Sequence, residues 1–404
     1  MPPFYAFTAL WYLRPTSALW ILYLLHSGWS LWQVGLAEAG FHAVSLLSDL
    51  PTGAFADRYG RRLSLAVGLF VGAADPLAIL LTAPWSVPLG TLSVALGALG
   101  YTFVGGADRA LLYAIARDAP EGAAGYGRLY GRVVRVSYVA ETVGAAAGGL
   151  LATRLGWAWP FALAALSQFG ALLAVLALPA TLGDRPAAAS GRRPRPALAL
   201  LADAVRTLRE RPFLLRFVLF GGVLLTVTAL TNLYAQSTFV LKGASVATAT
   251  FVIAGANLAA AATSAWGGRL AQGTRARTLL AGGAVALAAL VTLVGRLPLL
   301  GSGAAFLAQK GTDGLLDPLY ETRLNHEAPE AVRATVLSAP SSLFSLAMVV
   351  LFPLAGLVMA AGHLALAYMA VGALLLLSTL LLVVGSGRSV PSRPTGGALV
   401  RREP

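Results

Sequence analysis

Four polar side chains, Glu38, His42, Ser45 and Asp49, follow one another at spacings of four, three and four residues inside an otherwise apolar run. On an α-helix that spacing puts them on one stripe. Lys310, Asp313, Asp317 and Glu321 share a helical face in the same way, and Lys310 stands at the i,i+3 distance of an ion pair from Asp313. Glu141 sits in the middle of a third apolar run, Arg14-Pro15 interrupts the first, and Asp108 adjoins Arg109. Asn232 and Gln236 lie one turn apart. Ionisable groups inside long apolar segments are costly, so they face a cavity or a partner. Two kinds of work suit them, holding a polar ligand and passing a proton. The structural alternatives are helix-to-helix hydrogen bonding for the Glu38 stripe and a plain ion pair for Lys310 and Asp313. Glu38, Glu141 and Asp313 are the candidate proton carriers, because removal from water favours a carboxyl's neutral form. Asp49, just before Pro51, suits a gate instead. Arg14 suits an anionic group or a cavity carboxylate, or else marks the end of a shorter first span.

Composition says what must carry these residues. Of the 404 residues 57% are hydrophobic and 12% charged, and the mean hydropathy is +0.73. Soluble domains carry roughly twice that charged fraction. With no cysteine, disulfides and thiolate metal sites are excluded. The four histidines, His26, His42, His326 and His363, have no metal-ligand spacing. Neither a phosphate-binding glycine loop of the Walker type nor a nucleophile–base–acid set is present, so no enzyme, cofactor or ATP-driven machine is expected. The first apolar run begins at Phe4 with no basic segment before it, so it is expected to stay in the membrane rather than be cleaved.

Measured against the ~20 apolar residues a bilayer-crossing helix needs, the chain yields twelve spans. They cover 4–26, 32–55, 63–83, 86–115, 128–153, 157–179, 213–240, 246–270, 278–296, 299–322, 333–361 and 363–385. Turns after odd-numbered spans hold only Arg154, Lys242 and Arg296; the other side has twenty-two basic residues, Arg58, Arg61, Arg62, Arg192 and Arg193 among them. Short loops rich in arginine stay in the cytoplasm, so both termini are expected there. The same alternation accounts for the formal charge of +13 without nucleic acid. One long polar segment, Ala180 to Pro212, divides the spans six and six. It reads as a linker ending in a basic amphipathic helix over Ala197–Arg211. The domains expected are 1–180, a linker 181–212, 213–387, and a disordered cytoplasmic tail 388–404.

The stretch between the second and third spans reads Gly53-Ala-Phe-Ala-Asp57-Arg58-Tyr-Gly60-Arg61-Arg62. It resembles the signature loop of major facilitator superfamily transporters, with Gly53, Asp57, Arg58, Gly60, Arg61 and Arg62 all in place. Gly53 and Gly60 are expected to permit a sharp reversal. A fainter copy, Gly268 to Arg277, follows the eighth span, with Gln272 in the place of Asp57. Gly131, Gly144, Gly148 and Gly149 resemble the glycine motif of facilitator-type antiporters, although Ala145 replaces its proline. Generic small-residue packing is the other reading of that row. Gly105-Gly106 resembles the family's pair in the fourth span, where Tyr101 replaces an arginine linked with proton transfer. The resemblance further implies that Asp118 meets the signature arginines, that 333–338 enters helix 11, and that Asp75, on a peripheral third helix, is structural.

These features point to an all-α integral membrane protein of two six-helix bundles. The expected activity is alternating-access secondary transport, with protons driving efflux of drug-like or amphipathic small molecules. A proton-coupled importer of a small metabolite is the alternative, and a non-transporting sensor or scaffold a third. The expected partners are a small-molecule substrate, protons and the lipid bilayer, with the chain a monomer in the cell membrane.

Overall fold

A computed structural model describes residues 2–117, 126–179, 205–270, 275–329 and 332–386. Among them fourteen helices follow one another: α1 Pro2–Tyr12, α2 Trp20–His26, α3 Leu31–Tyr59, α4 Arg61–Thr82, α5 Val87–Val104, α6 Ala107–Arg117, α7 Tyr126–Arg154, α8 Ala158–Leu176, α9 Pro212–Leu241, α10 Val246–Leu270, α11 Ala276–Arg296, α12 Leu299–Glu327, α13 Arg333–Ala360 and α14 Leu364–Ser386. Twelve spans result, because two are each built from two helices. The first breaks between Tyr12 and Trp20, around the Arg14-Pro15 interruption. The fourth breaks at Gly105-Gly106, where Gly106 has φ +81°. Among the described residues eight helical spans are long and apolar enough to cross a bilayer by length and composition alone. The remaining four, α1–α2, α3, α7 and α12, are those that carry Arg14, Glu38, Glu141 and Asp313. The break leaves α1 and α2 too short, and the polar side chains lower the hydropathy of the other three.

Local chemistry fixes the helix ends. Ser30 caps α3 in a reciprocal box with Gln33, and Ser86 caps α5. Pro212 opens α9, where a missing N–H costs nothing. The turns after the first and seventh spans close alike: Trp29 N–H donates to Leu24 O at 3.0 Å, and Ala244 N–H to Phe239 O at 2.9 Å. Each pivots on a left-handed glycine, Gly28 at φ 88° and Gly243 at φ 92°. The same cap at equivalent places is a mark of duplicated halves.

Within the first half α1 packs on α7 and α8, α3 on α5, and α4 on α5 and α8. Within the second, α10 packs on α12, α11 on α12 and α14, and α9 on α13 and α14. The halves join through α3 against α13 and α7 against α10, with α2 touching α9. A Cβ on Gly35 would lie 2.6 Å from Pro353 Cα, and one on Gly356 would overlap Leu31 O. One on Gly149 would overlap Thr250. These close approaches sit at the start of α3 and the ends of α7 and α13, one end of the molecule. Toward the other end Asp49 of α3 and Ser338, Ser341 and Ser342 of α13 are exposed.

The signature stretch is not the loop expected. α3 runs on through Gly53 to Tyr59, and only Gly60, at φ 99°, makes the corner before α4. Gly53 is helical with nothing near its missing Cβ. Residues 205–210 are helical, in keeping with the amphipathic segment. Asp118, Gln272, the linker 181–204 and the tail 388–404 lie outside the described residues.

Candidate functional site

The break in the first span creates the site. Residues 13–19 leave the helix, and the Arg14-Pro15 backbone lies against α7, where a Cβ on Gly144 would stand 2.9 Å from Arg14 N and one on Gly148 would overlap Pro15 O. The glycine row of α7 thus does close packing around a kinked partner. Arg14 Nε donates to Trp11 O at 3.1 Å, and its guanidinium lies 4.1 Å from the Trp11 ring centre. A neighbouring contact joins the halves, Gln236 Nε2 donating to Ser17 O at 2.8 Å.

Around this break lies a cavity of about 310 Å³, walled by α1, α2, α3, α4, α5, α8 and α9. Of the sequence candidates it takes in Arg14, Glu38 and Asn232. It adds Asp75 and Gln168 as polar walls, and Trp11, Trp20, Phe41, Tyr101 and Phe161 as aromatic ones. Sequence reasoning assigned Asp75 a structural part and passed over Gln168. An aspartate next to a proline in an otherwise apolar span was the available signal for the first, and nothing local marks the second. Asp75 Oδ1, Gln168 Oε1 and Asn232 Oδ1 are buried with no hydrogen-bond partner. Polar atoms in that condition belong to a site that a ligand or water completes.

Glu38 Oε1 lies 3.4 Å from His42 Nε2, one turn on, and both are buried. The His42 ring meets Phe344 of α13 edge-on at 4.9 Å, so the pair also lies on the seam between halves. Ser45 is buried on the same stripe, whereas Asp49 is exposed beyond it.

A second polar group forms on α12. Lys310 Nζ is 3.8 Å from Asp313 Oδ2, and Thr228 of α9 donates to Asp313 Oδ1 at 2.6 Å. One turn away Gln309 Nε2 donates to Thr231 at 2.5 Å. Asp317 and Glu321 continue the face as exposed groups. Glu141 is half-buried on α7, within electrostatic reach of Arg14 from one half and Lys310 from the other. Asp108 accepts from the Arg109 backbone N–H at 2.6 Å, and both residues line a smaller hollow of about 50 Å³ with Tyr12 and Tyr130. The central cavity therefore does not include Asp49, Asp108, Arg109, Glu141, Lys310, Asp313 or Asp317.

The signature arginines brace the first half. Arg61 Nη1 donates to Ala110 O of α6 at 2.9 Å. Arg62 donates through Nε to Val175 O at 3.2 Å and through Nη2 to Leu176 O, capping the negative end of α8. In the second half Arg277, the counterpart of Arg62, pairs with Glu327 at 2.8 Å. Asp57 and Arg58 are exposed. Among the described residues no group of three metal-ligating side chains forms.

A sequence profile described as Major Facilitator Superfamily matches residues 4–339. Over 72 residues the chain is 40% identical to the uncharacterized MFS-type transporter YxaM of Bacillus subtilis (strain 168), a match that spans 17% of this chain and 18% of that one. Among solved structures it is similar to a mutant of the nucleoside transporter NupG, with a TM-score of 0.78 at 11% identity over 95% of this chain and 98% of that one. The D-xylose-proton symporter gives 0.71 at 16% identity over 94% and 95%. A POT family transporter in complex with a thioalcohol-conjugated peptide gives 0.70 at 12% identity over 96% and 94%.

Proposed function

The chain belongs to the Major Facilitator Superfamily as a multi-pass membrane transporter of the twelve-helix fold, and on that footing we propose that it is an alternating-access secondary transporter that exports amphipathic, drug-like small molecules in exchange for protons. The observation that carries this reading is the one-ended join between the halves. Gly35, Gly149 and Gly356 let the helices meet at one end, while Asp49, Arg109, Asp317 and Glu321 are exposed toward the other. The arginine bias makes that exposed end cytoplasmic, so this conformation is inward-open. Rocking of one half against the other would then present the cavity outward. Both termini lie in the cytoplasm of a monomer in the cell membrane, with the six-helix units bounded at about 1–180 and 213–387.

Export is favoured by the walls of the cavity. Five aromatic rings beside Glu38 and Asp75, with one arginine, suit an apolar body bearing a polar group. Glu38, Glu141 and Asp313 are the carboxyls that would carry the proton, and Asp57, Arg58, Arg61 and Arg62, on the helix ends around the Gly60 corner, would form the cytoplasmic gate. A second reading, proton-coupled import of a small metabolite, is supported by the size of the cavity. Its ~310 Å³ lies at the small end of ligand sites. Everted vesicles with an imposed proton gradient separate the two. Export predicts that dyes and amphipathic drugs accumulate inside them when the interior is acidic. Uptake confined to right-side-out vesicles would establish import, and no gradient-driven flux in either orientation would refute both.

A further inference from the structure

Resting on the reading of the 310 Å³ cavity as the substrate site, we infer that Asp75 of α4 and Gln168 of α8 form an amine-recognition subsite, and that the substrate is a small amphiphile bearing a protonated amine on an aromatic or apolar body. Three observations carry this. Asp75 Oδ1 and Gln168 Oε1 are both buried, both line the cavity, and neither has a hydrogen-bond partner. Gln168 is only 7% exposed, so its amide is reached through the cavity rather than from the outer surface. Two acceptor oxygens without a donor are complementary to an N–H-bearing cation, and a charged donor makes the stronger bond.

The backbone around the pair is cut back to make room. A Cβ on Gly97 would lie 2.6 Å from Asp75 Oδ1, too close to be tolerated without a shift. Trp11 and Tyr101 wall the same space and give it aromatic sides for the ligand's apolar body. Two carboxyl side chains, Glu38 and Asp75, line the cavity beside a single cationic one, Arg14. Arg14 is not an ion-pair partner of Asp75 within 4.0 Å, and its Nε is already engaged with the Trp11 carbonyl. The acid therefore stays available to a ligand.

Tryptamine, indole and indole-3-acetate share one body and differ in charge, and their binding to the purified full-length chain in detergent, read by calorimetry without any gradient, tests the subsite. Tryptamine is expected to bind at least about tenfold more tightly than the other two, as loss of a charged hydrogen bond implies. Asp75→Asn should abolish that preference, and Gln168→Leu, which keeps size but removes the acceptor, should reduce it. Should Asp75→Asn fail to fold, Gly97→Ala pushes against the carboxylate in place and is expected to reduce the preference too. Equal binding of the three probes, or an intact tryptamine preference in these variants, would overturn the subsite. Because binding is read apart from transport, equal binding of the three probes by a native chain that still performs proton-driven flux refutes the subsite alone. An intact preference without such flux refutes the transport reading alone.

Discussion

At the scale of single residues, the polar groups divide into those that are paired and those that wait for a partner. Asp313 has both kinds of atom: Oδ1 takes the Thr228 hydroxyl, and Oδ2 faces Lys310 at 3.8 Å. Removing one member of a buried pair strands the other, at a cost of about 3–5 kcal/mol. Asp313→Ala is therefore expected to lower the melting temperature sharply, and the double variant with Lys310→Met to recover most of the loss. Additive melting shifts in the double variant would show that the two charges are not coupled. This pair was legible in the sequence because both partners lie on one helix, three residues apart. The same holds for Glu38 and His42. Asp75 was not legible, since Gln168 and Trp11, which give it meaning, lie far away in the chain and come together only in the folded bundle.

Elements show how a break is accommodated. A straight α7 partner would need no glycine, but the Arg14-Pro15 segment projects its carbonyls toward α7, and Gly144 and Gly148 leave the room. Gly131, on the same helix, has nothing near its missing Cβ. Gly148→Ala should therefore destabilise the protein by more than Gly144→Ala, while Gly131→Ala should be neutral or gain about 0.5–1 kcal/mol from helix propensity. A melting series in detergent checks the order; equal effects at all three positions would contradict it. The span periodicity was readable because apolar runs of bilayer length leave few alternatives, and 246–270 coincides with Val246–Leu270. Interruptions were harder. Proline at 15 and glycine at 105–106 are visible, yet a single span and a broken one bury nearly the same residues, and only packing against α7 and α1 decides. Gly53 misled for a related reason: glycine permits a turn but does not impose one, and the corner belongs to Gly60 alone.

The whole molecule is a pair of halves held together at one end. Asp57 is exposed, and α13 begins at Arg333 after Val332, which provides no side-chain cap. In the opposite conformation Asp57 is placed by our account against that uncapped helix start, a contact of about 0.3–1 kcal/mol. Asp57→Asn should then leave the fold intact and raise the inward-open population about two- to fivefold. Cross-linking at the cytoplasmic mouth reads it, and unchanged closure with native transport would exclude the latch. The central claim, that the halves rock about the cavity, has a more direct test. The chain has no cysteine of its own, so spin labels can be placed in pairs without background. One pair, at Tyr59 and Ser338, reports the arginine-rich end, and another, at His26 and His363, the opposite end; all four positions are exposed. Distances measured by pulsed electron resonance in lipid, at neutral and acidic pH and with a transported compound, are predicted to change in opposite directions at the two ends. Pairs that stay fixed, or that lengthen and shorten together, would contradict alternating access.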